Sequence, residues 1–187
     1  MAEIRIPVFT TGQQLAAIRD EVDAAIERVL ASGWFILGRE VAAFEEEFAA
    51  YCGVDYAVGV ANGTDAIELA LRAVGTGPGD EVITVAHTAP FTGLAILATG
   101  ATPVFVDVDE DTMLLDATLI EAALSPKTRA ILPVHLYGRA ADVDAIAAVA
   151  RAAGVPVVVD AAQAHGASVA GDRAAALGDV AAFSFYP

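Results

Sequence analysis

Lysine is almost missing from this sequence. Lys127 is the only one among 187 residues, and Lys plus Arg total 10 against 25 Asp plus Glu, a formal net charge of -15. Binding a nucleic-acid backbone requires clustered cations, so nucleic acid is not expected as a partner. A phosphorylated small molecule stays open, because backbone amides at a helix N-terminus hold phosphate without lysine. Cysteine is nearly absent too. Cys52 stands alone, which excludes an internal disulfide and fits a reducing compartment. No apolar run reaches the ~18 residues of a membrane-spanning helix, since the stretch 84–101 is broken by His87, Pro90 and several Thr and Gly. The N-terminal MAEIRIPVFTTG lacks the basic-then-apolar order of a signal peptide. These absences point to a soluble, cytoplasmic protein with no membrane partner. The three histidines lack metal-ligand spacing and there is no HExxH, so no metal site is expected. Gly75–Asp80 is glycine-rich but lacks the GxGxxG order and precedes a strand pattern, so it reads as a tight turn, not a dinucleotide site.

What is present is apolar: 56% of residues are hydrophobic and only 19% charged, too greasy for disorder and enough for about one domain with a real core. The first third is helical in pattern. Leu15, Ile18, Val22, Ile26 and Val29 follow the helical period up to the break at Ala31–Gly33. Val41, Phe44, Phe48 and Tyr51 mark a second amphipathic helix, and Glu45–Glu47 lie largely off its apolar face as a solvated run.

From Tyr56 the text alternates. Strand patterns fall at Tyr56–Val60, Glu81–Ala86, Pro103–Val108, Ala130–His135, Val155–Asp160 and Val180–Phe185. Helical patterns at Asp65–Val74, Pro90–Ala98, Leu119–Leu124 and Val143–Ala153 separate most of them. This is the signature of an α/β fold with a mostly parallel sheet covered on both faces. In such sheets ligands sit beyond the carboxyl ends of the strands, so the residues that follow each strand carry the functional information.

After Tyr56–Val60 comes Asn62-Gly63-Thr64-Asp65-Ala66 and a helix start. Free amides and a hydroxyl at a positive helix end make an anion cradle, and the same residues also read as an ordinary helix cap. After Val155–Val159 comes Asp160, a carboxylate at the end of an apolar strand, costly unless it is paired. A protonated ring nitrogen or an Arg would satisfy it, as would local amides. His87 follows another strand, either touching a planar ligand or serving the structure, and His135 has the same two readings. Ser184 follows the last strand and can donate to a phosphate. A phosphate cradle, a buried acid, a planar contact and a hydroxyl at four strand ends together suit pyridoxal 5'-phosphate, whose chemistry needs a carboxylate beside the ring nitrogen and normally a lysine.

SGWFILGREVAAFEEEFAAYCGV, VGVANGTDAIELALRAVG, GPGDEVITVAHTA, ATPVFVDVDEDT, ILPVHLYGRAADVDAI, DAAQAHGA and AFSFYP, in that order and spacing, resemble the N-terminal half of the DegT/DnrJ/EryC1/StrS sugar aminotransferases. The resemblance implies the three-layer αβα large domain of fold-type I pyridoxal-phosphate-dependent transferases, over residues 53–187 and cut short before the small domain, with residues 1–52 as an N-terminal helical segment. It implies that Gly63, Thr64 and Asp65 form the phosphate turn, Asp160 partners the pyridinium nitrogen, Gln163 binds the ring hydroxyl and Ser184 binds phosphate. Ser32–Phe35 resembles a loop near the sugar site. Ala89 stands where many members place a stacking aromatic residue, and His87 is taken as its substitute. The Schiff-base lysine of the family lies five residues after the serine matching Ser184, beyond Pro187, and Lys127 is expected in a solvated turn instead. The implied activity is amino transfer, with glutamate as donor, to a 3-keto or 4-keto deoxysugar on a nucleotide, in a homodimer. These 187 residues alone are expected to be inactive. The alternatives are a related sugar dehydratase, with histidine in place of the lysine, and a non-catalytic regulatory homologue. The Asn62–Ala66 turn resembles the aminotransferases more than the dehydratases.

Overall fold

A computed structural model describes residues 10–186. The chain divides into two compact units, Met1–Glu46 and Glu47–Pro187. In the first, α1 (Gly12–Ala17) and α2 (Arg19–Ser32) replace the single helix expected there, with Ile18 standing between them. Gly33 ends α2 in the left-handed conformation that glycine tolerates best. The helix α3 (Arg39–Cys52) begins in this unit. Arg28 and Glu40 face each other in a two-pronged ion pair, at 2.7 and 2.9 Å, and the arginine holds the Glu40 carboxyl below its usual range. Trp34, Phe35, Ile36 and Leu37 are all exposed.

The second unit is built on parallel strands. After α4 (Gly63–Ala73) come β1 (Glu81–Val85), α5 (Pro90–Thr99) and β2 (Thr102–Val106). Then follow α6 (Ile120–Ala123), β3 (Thr128–Leu132), α7 (Val143–Ala153) and β4 (Val158–Asp160). A short antiparallel hairpin of β5 (Ser168–Val169) and β6 (Asp172–Arg173) precedes β7 (Val180–Ala182). The strands β2, β1 and β3 pair in that order, and β4 pairs with β7, all in parallel. Parallel bridges from Ile131 to Val157 and from Val134 to Asp160 join the two sets. The resulting order is β2-β1-β3-β4-β7, with every carboxyl end on one edge.

Alternation of side chains along each strand explains the layers. Ile83, Ile131, Val157 and Val159 point to one face, where Ile120, Ile146 and Ala150 from the α6 and α7 side cover them. Val82, Ala130, Leu132 and Val158 point to the other, covered by Ile67 and Leu71 of α4 and Ala95 and Ile96 of α5. Both faces are closed, which is the three-layer αβα arrangement the apolar strand runs imply. Local signals set the helix ends. Asn62 and Asp142 cap α4 and α7 through side-chain oxygens, Pro90 opens α5, and Gly100 and Gly154 end α5 and α7 with positive φ.

Residues 56–60, expected as a strand, pair with no strand among the described residues. Tyr56, Val58 and Val60 are 86%, 77% and 41% exposed.

Ile131 is fully buried at the centre of the sheet. Its replacement by Ala is expected to cost about 2–5 kcal/mol in urea unfolding. A loss below about 1 kcal/mol would contradict the packing described.

Candidate cofactor site

The carboxyl edge of the sheet gathers most of the residues singled out in the sequence. Asp160 ends β4 and is 4% exposed. Its backbone is locked between strands: its N–H donates to Pro133 O at 3.0 Å, and its carbonyl accepts from His135 N at 2.9 Å. The side chain has two donors. Thr92 Oγ1 donates to Oδ2 at 2.8 Å, and the Ala162 amide donates to Oδ1 at 3.1 Å. Burial pushes the Asp160 carboxyl above its ordinary range, opposed by those two hydrogen bonds. Among the described residues no cation pairs with it. The carboxylate is therefore buried without a counter-charge, and a protonated nitrogen brought to it would relieve that cost.

Gly63 and Ser184 are neighbours. A Cβ on Gly63 would lie 2.7 Å from Ser184 Cβ and 3.1 Å from its Oγ, so only glycine fits. Asn62, not Thr64 or Asp65, caps α4; its Oδ1 takes the Asp65 amide at 2.9 Å. Among the described residues nothing takes up the Gly63 and Thr64 amides. Those amides and the Ser184 hydroxyl lie together at the positive end of an amphipathic helix, which is the chemistry of an anion cradle. Asp65 contributes its amide to the cap rather than to a ligand.

Gln163 and His87 lie on a second side of this edge. Gln163 Oε1 accepts from Tyr137 N at 3.3 Å, which leaves its Nε2 to donate. Tyr137 has φ 53° and is followed by Gly138 with φ 82°, a turn that carries the exposed Tyr137 ring over the edge. The His87 ring meets the Tyr137 ring edge-on with centroids 6.3 Å apart. His87 Nδ1 lies 2.8 Å from Met113 O, so it is Nδ1 that carries the proton and Nε2 that can accept. The pair spans the gap between the ends of β1 and β3. There the chain leaves β1 for β2 on one side and leaves β3 for β4 on the other, the kind of switch point where α/β sheets bind ligands.

His135 is structural. It is fully buried, its Nδ1 accepts from the Ala141 amide at 3.1 Å, and burial holds it below its usual pKa. Lys127 lies before β3, in a turn where its amide donates to Ser125 Oγ and its carbonyl accepts from Glu81 N. The level of Asp160 lies about 23 Å away along β3 (roughly seven residues at ~3.3 Å each), so Lys127 cannot reach the site. Among the described residues no cluster could hold a metal ion, and no helix is long and apolar enough to cross a membrane. Reading the residues one by one missed Thr92. A threonine in the otherwise apolar run Pro90–Thr99, packed against the sheet, needs a polar partner, and that was the available signal.

The parallel three-layer αβα arrangement is that of the large domain of fold-type I pyridoxal-phosphate-dependent transferases. The sequence pattern of the DegT/DnrJ/EryC1/StrS aminotransferase family matches residues 16–187, and the chain belongs to that family. A dTDP-3-amino-3,4,6-trideoxy-alpha-D-glucose transaminase of Streptomyces venezuelae is 55% identical over 183 residues, 98% of this chain and 48% of that protein. The crystal structure of S. venezuelae DesV in complex with a ketimine intermediate has a TM-score of 0.95 at 55% identity, over 98% of this chain and 49% of that one. NtdA from Bacillus subtilis with bound cofactor PMP has a TM-score of 0.85 at 34% identity, over 93% of this chain and 40% of that one. The chain spans about half the length of the curated relatives it matches.

The Asp160 shift sets a sign for stability. Its folded carboxyl titrates above the unfolded one, so the folded state holds the extra proton and this group's contribution falls as pH rises through that interval. Asp160→Asn, which keeps the shape and removes the charge, is expected to stabilise the ligand-free chain at pH 7. The gain should shrink toward acid pH in thermal unfolding. A pH-independent gain would contradict the buried-charge account.

Proposed function

We propose that this chain carries the cofactor half of the site of a pyridoxal-phosphate-dependent aminotransferase. The enzyme moves an amino group, with glutamate as donor, to a keto group of a nucleotide-linked deoxysugar. The observation that carries the reading is Asp160, buried, hydrogen-bonded on both oxygens and without a cation beside it among the described residues. Family membership and the transaminase relatives support it. When bound, pyridoxal phosphate supplies an electron-withdrawing ring that stabilises negative charge at the amino-bearing carbon.

The chain's own residues have separable tasks. Asp160 holds a proton on the ring nitrogen and so keeps the ring cationic. The Gly63 and Thr64 amides and the Ser184 hydroxyl bind the phosphate, with Asp65 closing the turn behind them. Gln163 donates through Nε2 to the ring hydroxyl oxygen. His87, steadied by Met113 O and Tyr137, would supply the planar contact to the ring that Ala89 is too small to make. The lysine that forms the imine in this chemistry is not supplied by Lys127, so these 187 residues alone do not complete the catalytic set. The retained Asp160, Gln163 and Ser184 favour this reading over a non-catalytic homologue. A homodimer belongs to the same reading and rests on the resemblance alone, whereas the cytoplasmic location is expected from the lone Cys52.

Calorimetric titration of the 187-residue chain with pyridoxamine 5'-phosphate, which needs no imine, tests the proposal. Binding is expected with a dissociation constant below about 1 mM (about -4.1 kcal/mol). Asp160→Ala should weaken it about tenfold or more, with no amino transfer by either chain. Absence of binding by the parent chain, or equal binding by Asp160→Ala, would sink the proposal.

A further inference from the structure

We propose that Thr92, oriented by Thr88, is the positioning residue that holds the Asp160 carboxylate charged and in one orientation for the ring nitrogen of a bound pyridine cofactor. The proposal rests on the reading of the site given above, but its test does not require a cofactor.

The geometry has a direction built into it. Thr92 is 1% exposed, so its hydroxyl has no water to fall back on. It has one proton, and that proton goes to Asp160 Oδ2 at 2.8 Å. The Thr88 hydroxyl lies 2.8 Å from the Thr92 hydroxyl. With the Thr92 proton committed, Thr88 must donate and Thr92 must accept. The three groups form a relay, Thr88 to Thr92 to Asp160, in which each donor polarises the next. Only an ionised Oδ2 suits this order, because a proton on Oδ2 would reverse it. On the other oxygen, the Ala162 amide fixes Oδ1 at 3.1 Å. The carboxylate plane is thus held from two sides, by α5 and by the backbone beyond β4.

Thr88 and Thr92 are four residues apart, one turn of helix. Thr88 sits just before Pro90, the first residue of α5, and Thr92 in its first turn. The helix start therefore places both hydroxyls over the end of β4. The flanking strands present no competing charge. From β7 the paired residue is Ala182. From the β3 side it is Val134, followed by His135, whose ring is occupied by the Ala141 amide and the Ala174 carbonyl and which burial keeps neutral. The side chains of α4 nearest this layer, Ile67, Ala70 and Leu71, are apolar. Against burial, Asp160 has the Thr92 hydrogen bond, the larger of the two opposing effects, and the Ala162 amide.

Carbon-13 NMR of the Asp160 carboxyl in the ligand-free 187-residue chain reads the effect directly. Thr92→Val, nearly the same shape without the hydroxyl, is expected to raise the Asp160 titration midpoint by about one unit or more. Thr92→Ser should restore it to within a few tenths, and Thr88→Val should raise it by less. An unmoved midpoint in folded Thr92→Val overturns the proposal. Should Thr92→Val fail to fold, Thr88→Val decides, and an unmoved midpoint there overturns it equally. Pyridoxamine 5'-phosphate affinity is measured on the same series, and Thr92→Val should lose about tenfold or more while Thr92→Ser recovers. If the parent chain does not bind, the cofactor reading fails and the titration still decides the role of Thr92. If it binds and the midpoint stays put in Thr92→Val, the role of Thr92 fails alone.

Discussion

The buried carboxylate of Asp160 is the constraint around which the second unit is organised. A charge in an apolar interior without a counter-ion costs several kcal/mol even after relaxation. The fold tolerates it by surrounding it with hydrogen bonds that must all come from fixed places. Its main chain is tied to β3 through Pro133 and His135. Its two oxygens are tied to α5 and to Ala162. These ties work only if β3, β4 and α5 hold one register, so the same contacts that make the acid bearable also fix the edge on which the other groups stand. A residual cost remains, and it faces the edge of the sheet where a ligand with a proton to share can remove it.

The two edges of the sheet are chemically unlike. At the amino edge the polar groups satisfy one another. The Gly77 amide donates to Asp80 Oδ2, Arg129 lies 3.5 Å from Asp80, and Ser125 donates to Glu81. Lys127 stands in that edge, exposed, its backbone used for turns. At the carboxyl edge the groups are left with capacity: amides at the start of α4, a hydroxyl at Ser184, an amide nitrogen at Gln163 and a ring nitrogen at His87. Satisfied polar groups describe a scaffold, and aligned unsatisfied ones describe a site. The contrast supports the site proposed at the carboxyl edge without reference to any ligand.

Much of this arrangement was legible in the sequence because it depends on local rules. The strand–helix alternation gave the layers, and the apolar strands gave the covered sheet. The residue after each strand gave Asp160 and Ser184, while the Asn62–Ala66 turn gave the helix start. Three things were not legible. The break at Ile18 lies within a continuous helical period, so pattern alone could not divide α1 from α2. Residues 56–60 have a strand's alternation, but whether alternation becomes a ladder depends on a neighbour, a non-local fact. Thr92 lies far along the chain from Asp160, and its role exists only once α5 is laid over β4. The family resemblance supplied the role expected of Gln163, which spacing could not. For Gly63 the structure gives a reason, since Ser184 occupies the space a side chain would need.

The acidity of the chain and its anion cradle are compatible for a reason that follows from distance. The net charge of -15 is spread over exposed carboxylates, and their field is screened over about 8–10 Å at ordinary salt. The amides at the start of α4 act at hydrogen-bond range, where the helix end carries roughly half a positive charge. Asn62 removes one competing donor by taking the Asp65 amide and so aligns the remaining two. A lysine there would add charge but also a long mobile side chain, whereas amides are fixed by the helix and lose little freedom on binding. The scarcity of lysine is therefore no obstacle to holding the phosphate. On the function proposed above it would bear on the covalent step alone, because binding and protonation of the ring would draw on backbone amides, hydroxyls and one acid, whereas imine formation would need an amine that Lys127, at the opposite edge, does not provide.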